Sequence, residues 1–136
     1  MKQNLLVVED DRMIRKLIVM YLEKEGFDVV EASDGEAAKE VFLRHHPCLI
    51  VLDLMLPRLS GEAFCKWIRE QERNEVSIIM LSAKTSTPEK IDGLKMGADD
   101  YMTKPFDPEE LIAHVEAPFY AERGSIVKRL FTMAYA

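Results

Sequence analysis

Cys48–Leu49–Ile50–Val51–Leu52–Asp53 decides the fold, because an unbroken run of apolar or near-apolar residues leads into a single carboxylate. A short apolar run bounded by turn signals predicts a strand buried on both faces. Leu56–Pro57–Arg58–Leu59–Ser60–Gly61 ends it. Asp53 then stands at the carboxyl end of a buried strand, where open α/β sheets place their sites. A carboxylate there is costly unless something pairs with it. Two stretches offer partners: Glu9–Asp10 after an earlier apolar run, and Lys104 at the end of a later one.

Working outward, Leu5–Leu6–Val7–Val8 reads as a first buried strand running into Glu9–Asp10–Asp11. Ile14, Leu17, Ile18, Tyr21 and Leu22 keep helical spacing, Asp11 suits the helix cap, and Gly26 stops the helix. Phe27–Asp28–Val29–Val30–Glu31 is a short second strand. Ser33–Asp34–Gly35–Glu36 has the form of a capping box with Ser33 as N-cap. The helix behind it carries Ala37, Ala38, Val41 and Phe42 and closes at His45–His46–Pro47. After the central strand, Ser60 caps a third helix bearing Ala63, Phe64, Trp67 and Ile68. Val76–Leu81 is a fourth strand ending at Ser82–Ala83. Thr87–Pro88 opens a fourth helix with Ile91 and Leu94 inward. Tyr101–Met102–Thr103 is a fifth strand before Lys104–Pro105, and Asp107–Pro108–Glu109–Glu110 opens a fifth helix.

Strands alternating with helices over short links predict an α/β fold: a five-stranded parallel sheet covered by helices on both faces, a three-layer sandwich. The strand order 2-1-3-4-5 comes with the flavodoxin-like doubly wound class and not from any residue in this chain. With that order, Glu9–Asp10 lie beside Asp53, and Ser82 and Lys104 follow neighbouring strand ends. Three close carboxylates repel one another. A hard divalent cation relieves this, and Mg²⁺ takes a few carboxylates while keeping several waters. A cation and a lysine beside a carboxylate suit phosphoryl transfer, with the carboxylate as nucleophile.

The 136 residues suit one domain, and the net charge of -6 argues against nucleic-acid binding by it. Cys48 and Cys65 lack metal-ligand spacing and read as free thiols in a reducing cytoplasm. The sequence shows no signal peptide and no apolar stretch of transmembrane length. His45 and His46 are adjacent, which does not suit metal ligation on a helix face.

Val7–Val8–Glu9–Asp10–Asp11, Asp53–Leu54–Met55–Leu56–Pro57 with Gly61, Ser82–Ala83, Gly97–Ala98–Asp99–Asp100–Tyr101 and Lys104–Pro105–Phe106 stand in this order. With them the chain resembles a receiver domain of bacterial two-component response regulators. Each piece alone is weak; together they are specific, and they cover about residues 3–117. The resemblance implies that Asp53 accepts a phosphoryl group from a phosphohistidine on a sensor histidine kinase. It implies Mg²⁺ held by Glu9, Asp10, Asp53 and the Met55 backbone carbonyl. Ser82 and Lys104 would hold the phosphoryl group, Tyr101 would be an aromatic switch, and the Lys104–Pro105 bond would be cis.

The stretch Gly97–Tyr101 is similar to the OmpR/PhoB-like subfamily, whose receivers pair through the fourth helix, fifth strand and fifth helix. Lys90, Asp99, Asp100 and Glu110 sit where the subfamily's salt bridges form. Glu109 and His114 stand where the subfamily usually has arginine, so at least one cross-subunit pair is altered. A homodimer promoted by phosphorylation is the expectation.

Residues 1–117 read as the receiver and 118–136 as a tail. Pro118 is expected to interrupt the last helix, and Ile126, Val127, Leu130 and Phe131 form a new amphipathic run. A winged-helix DNA-binding domain would not fit in that tail, since a domain usually takes about 50 residues or more. The readings are a cytoplasmic single-domain switch, or the receiver part of a truncated DNA-binding transcriptional regulator. A metal-dependent aspartyl-nucleophile phosphatase is a rival class, but such enzymes want an acid two residues after the nucleophile, where Met55 stands. A flavodoxin-like cofactor binder needs a small-residue phosphate loop where Glu9–Asp10–Asp11 stand. The expectation is a phosphoacceptor, not an enzyme, with slow self-dephosphorylation.

Overall fold

The computed structural model describes residues 3–71, 75–83 and 97–119. Five strands form one parallel sheet: β1 (Asn4–Val8), β2 (Asp28–Ala32), β3 (Leu49–Asp53), β4 (Ser77–Ser82) and β5 (Asp100–Thr103). Their order is β2-β1-β3-β4-β5. The registers Val8↔Leu52 and Asp53↔Leu81 align the carboxyl ends of β1, β3 and β4 along one edge.

Every residue of β3 is buried, as an apolar run without alternation requires when both faces are covered. Successive side chains go to opposite faces. Leu6, Val8, Ile50, Leu52, Ile78 and Met80 pack with Phe42 of α2 (Gly35–His45) and Phe64 and Ile68 of α3 (Gly61–Arg69). Leu5, Val7, Leu49, Val51, Ile79 and Leu81 pack with Ile18 and Leu22 of α1 (Arg12–Lys24). Leu111 and Val115, from a helix over residues 108–119, complete that second cluster. The sheet is thus the middle of three layers. Burying each such aliphatic side chain contributes about 1.5–3 kcal/mol.

Asp11 caps α1, its Oδ1 accepting from the Ile14 N–H at 3.0 Å. Gly26 follows that helix with φ 97, a left-handed conformation that glycine adopts without steric cost. Ser60 caps α3 through the Ala63 N–H at 3.1 Å. The cap of α2 differs from expectation. Asp34, not Ser33, is the N-cap, with extended backbone and its Oδ1 accepting from Ala37 N–H at 2.8 Å. Both residue types cap well, so the pattern alone did not separate two adjacent candidates. Glu36 then falls one position short of the box and lies 3.8 Å from Lys39 instead.

Pro118 also departs from expectation: residues 108–119 are helical through it. Phe119 packs on Phe27 with the rings tilted and their centroids 5.8 Å apart, a contact that favours continuing the helix. The expected helix at Thr87–Pro88, Lys90, and the run Ile126–Phe131 lie outside the described residues. No described helix is long and apolar enough to cross a membrane.

Candidate metal and phosphoryl-acceptor site

The pairing of β1 with both β2 and β3 ends at Val8, so Glu9 and Asp10 leave the sheet at its carboxyl edge. Asp53 ends the neighbouring strand. Glu9 is 1% exposed and Asp53 is 4% exposed, whereas Asp10 is exposed. One carboxylate oxygen from each of Glu9, Asp10 and Asp53 lies within 4.8 Å of the others. The strand ends thus gather three acids that are far apart in sequence.

Lys104 enters from the end of β5. Its main-chain N–H donates to the Ser82 carbonyl at 2.8 Å, extending the β4–β5 pairing by one bond. Its Nζ donates to Glu9 Oε1 at 2.8 Å and lies 3.4 Å from Asp53 Oδ2. Burial, the largest influence on the Lys104 ammonium, would lower its pKa. Glu9 and Asp53 outweigh burial and raise it.

Glu9 feels the opposite pressure. Burial, then its contact with Asp53, pushes its carboxyl from 4.5 up to about 8, against the pull of Lys104. Its second oxygen, Oε2, is buried with no hydrogen-bond partner among the described residues. A buried carboxylate oxygen without a donor is expensive. One oxygen each of Glu9, Asp10 and Asp53 lies close enough to the others to share an ion, so this donor set fits a hard, oxygen-preferring divalent cation.

The remaining residues surround this centre. Met55 N–H donates to Asp53 Oδ1 at 3.2 Å, while the Met55 side chain is 61% exposed. Ser82 is fully buried at the end of β4. Tyr101 is half-buried on β5 and packs against the cluster shared with α2 and α3. The Lys104–Pro105 bond is cis.

Gly61 sets how closely α3 approaches. A Cβ on Gly61 would lie 2.3 Å from the Asp53 carbonyl oxygen, and its N–H donates to Leu54 O at 3.0 Å. Only a residue without a side chain lets α3 start against the end of β3 in this way.

The acids expected on a pairing surface all have partners within the chain. Asp99 Oδ2 accepts from Ile78 N–H at 2.7 Å and from Arg69 Nη2 at 2.8 Å. Asp100 bonds the His114 ring, and Glu110 Oε1 lies 3.9 Å from His114 Nε2. Lys90 lies outside the described residues.

Two arginines went unremarked in the sequence. Arg69 donates to the Val76 carbonyl at 2.7 Å and to the Gly97 carbonyl at 2.7 Å, tying α3 to the lead-ins of β4 and β5. Arg15 Nη1 donates to the Glu9 carbonyl at 2.9 Å, and Arg15 Nε to Glu31 Oε1 at 2.9 Å. Glu31 also holds Lys16 at 2.9 Å. Burial, the largest influence on the Glu31 carboxyl, would raise its pKa, but Lys16 and Arg15 together hold it below the usual range. Basic residues on a helix ordinarily read as a solvated face, so spacing alone carried no signal for either arginine.

Comparison with known proteins agrees with this geometry. Residues 5–116 match the response regulator receiver domain family. The alkaline phosphatase synthesis transcriptional regulatory protein PhoP of Bacillus subtilis (strain 168) is 48% identical over 117 residues, 86% of this chain and 48% of that protein. The chain spans about half the length of the curated relatives it matches. Among solved structures, the Francisella response regulator 1452 receiver domain superposes with a TM-score of 0.83 at 37% identity, over 89% of this chain and 99% of that one. The receiver domain of a sensor histidine kinase from Pseudomonas aeruginosa PAO1, solved with a magnesium ion in its active-site cleft, gives 0.78 at 32% identity over 85% and 96%. By sequence and by fold, the chain belongs to the response regulator receiver domain family of two-component signalling.

Proposed function

We propose that Asp53 is the phosphoryl acceptor and that Glu9, Asp10 and Asp53, with the Met55 backbone carbonyl, hold Mg²⁺. The observation that carries this reading is the meeting of three carboxylates and Lys104 at one sheet edge, with one buried Glu9 oxygen unbonded among the described residues. The Pseudomonas receiver with magnesium in its cleft supports it.

An Asp53 carboxylate oxygen attacks the phosphorus of a phosphohistidine on a sensor histidine kinase. The P–N bond breaks, its electron pair stays on the imidazole nitrogen, and an acyl phosphate forms on Asp53. The Lys104 ammonium, already shared between Glu9 and Asp53, pairs with the incoming phosphoryl oxygens. Bound Mg²⁺ supplies the rest of the neutralisation that lets an anion enter an acidic pocket. Ser82, at the end of β4, takes a phosphoryl oxygen after transfer, and Tyr101 on β5 moves with it.

The kinase needs a surface next to Asp53. A groove of about 490 Å³ opens beside Lys104, lined also by Ile14, Leu17, Tyr21, Phe106 and Pro108 among others. Met13, Leu17 and Met20 stand exposed on the same helix, which suits an apolar partner.

The chain is a phosphoacceptor and not an enzyme. Met55 is apolar and exposed, so it offers no group to orient a water on the acyl phosphate, and the phosphorylated state is long-lived. A half-life of seconds would contradict this. Two receivers pair on phosphorylation through the surface bearing Lys90, Asp99, Asp100 and Glu110. An unchanged monomeric mass after binding a phosphoryl mimic would contradict that. Residues 1–117 form the receiver and 118–136 the tail. The relatives named as transcriptional regulators support a cytoplasmic regulator whose DNA contacts lie outside this domain.

The deciding experiment is intact-mass measurement after incubation with acetyl phosphate. A gain of one phosphate that needs Mg²⁺ and is absent in Asp53→Asn is the expected result. No gain by a chain that binds Mg²⁺ would overturn the acceptor role.

A further inference from the structure

We propose that Arg15 is a positioning residue for the divalent cation: it fixes the main chain that presents Glu9 and Asp10, and Glu31 fixes Arg15. The proposal rests on the reading of Glu9, Asp10 and Asp53 as the cation site.

The sheet pairing of β1 ends at Val8, so the carbonyls of Glu9 and Asp10 have no strand opposite them. Arg15 serves both. Its Nη1 donates to the Glu9 carbonyl at 2.9 Å and reaches the Asp10 carbonyl at 3.4 Å. On the other side, Glu9 N–H donates to the Ala32 carbonyl at 3.1 Å. Glu31, the neighbour of Ala32 on β2, accepts from Arg15 Nε at 2.9 Å. The last two residues of β2 therefore grip the Glu9 main chain from both directions, one directly and one through a guanidinium.

Arg15 is well placed for this work and badly placed for anything else. Its side chain is 13% exposed, so it is not a solvated surface cation. It lies close to the N-terminus of α1, where the helix dipole disfavours positive charge, so the acid that meets its charge is Glu31 of the neighbouring strand. The guanidinium offers several donors in one rigid plane, which serves a carboxylate and two carbonyls together; an ammonium does not match that fork.

Charge and position make opposite demands here. A cation close to a metal site opposes the metal, so on electrostatics alone Arg15→Gln should tighten Mg²⁺. If Arg15 positions the acids, the same change should weaken it. Partners that orient metal ligands from outside are worth about 10–100-fold in affinity when lost.

The test is calorimetric titration of the chain with Mg²⁺ alone, without phosphodonor, on wild type, Arg15→Gln, Arg15→Lys and the double variant Arg15→Gln/Glu31→Gln. The double variant keeps the wild-type net charge. The expected result is a Kd for Mg²⁺ weakened about ten-fold or more in Arg15→Gln and in the double variant, with a smaller loss in Arg15→Lys. Saturating Mg²⁺ should then restore the wild-type rate of phosphoryl uptake from acetyl phosphate. An unchanged or tighter Kd in Arg15→Gln, with circular dichroism showing it folded, overturns the proposal. If that variant does not fold, Arg15→Lys decides: affinity equal to wild type overturns it. Failure of the wild type to bind Mg²⁺ overturns the site reading and this proposal together. Binding by wild type and equally by all variants overturns only the role of Arg15.

Discussion

Glu9 holds one carboxylate oxygen on Lys104 and finds no donor for the other among the described residues. Its carboxyl is raised from 4.5 to about 8. Between those values the metal-free fold binds a proton that the unfolded chain has released, so stability falls as pH rises from about 4.5 to about 8. Above that window both states are ionised and this contribution no longer changes. Mg²⁺ competes with that proton. Urea midpoints taken across the window should therefore slope downward in chelator, flatten in saturating Mg²⁺, and flatten in Glu9→Gln without metal. A midpoint that rises with pH in chelator would contradict the raised carboxyl. Glu9, Asp10, Asp53 and Lys104 were legible in the sequence because each interrupts or ends an apolar run. Arg15 and Arg69 were not, because they bond main-chain carbonyls, which leave no mark in residue type; nor was Glu31, whose partners Arg15 and Lys16 come from another element.

At the scale of elements, the caps give a direct comparison. Asp34→Ala should cost about 1 kcal/mol by removing the bond to Ala37 N–H. Ser33→Ala should stay within about 0.5 kcal/mol, since Ser33 is not the cap. Equal losses in chemical denaturation would contradict the assigned start of α2. Gly61→Ala is a different case. Its Cβ would meet the Asp53 carbonyl at 2.3 Å, so α3 or the end of β3 must move. The expected loss is about 1–3 kcal/mol, with slower phosphoryl uptake because the shift falls on the acceptor's own backbone. Strand and helix types were readable because β3 is apolar up to its last residue, Asp53, and α1 and α3 keep helical spacing. The reading failed at Ser33 and Pro118. There a neighbouring residue of equal capping ability and a distant ring, Phe27, decided the local outcome.

For the whole molecule, two apolar clusters on opposite faces of the sheet share every central strand. Neither cluster survives loss of the other's strands, so the described domain should unfold in one cooperative transition. Mg²⁺ should raise that transition by mass action, by about 2.7 kcal/mol at a hundred-fold excess over its Kd. Asp10→Asn should lose most of that gain; an equal gain would place the cation elsewhere. The doubly wound class was legible from the alternation of strands and helices. The position of β5 at the margin was not, because no residue in β5 encodes which strand it will lie beside.

That margin has a mechanical meaning. β1, β3 and β4 are each clamped by two neighbours, whereas β5, like β2, has one. Lys104, the residue that grips Glu9 and Asp53, is tethered to the sheet by a single further bond past β5, to the Ser82 carbonyl. A tug on its ammonium therefore lands beside an edge strand and not on the doubly clamped centre. A change in load at Asp53 would then be met first at the edge, where one neighbour resists it, rather than at the clamped centre.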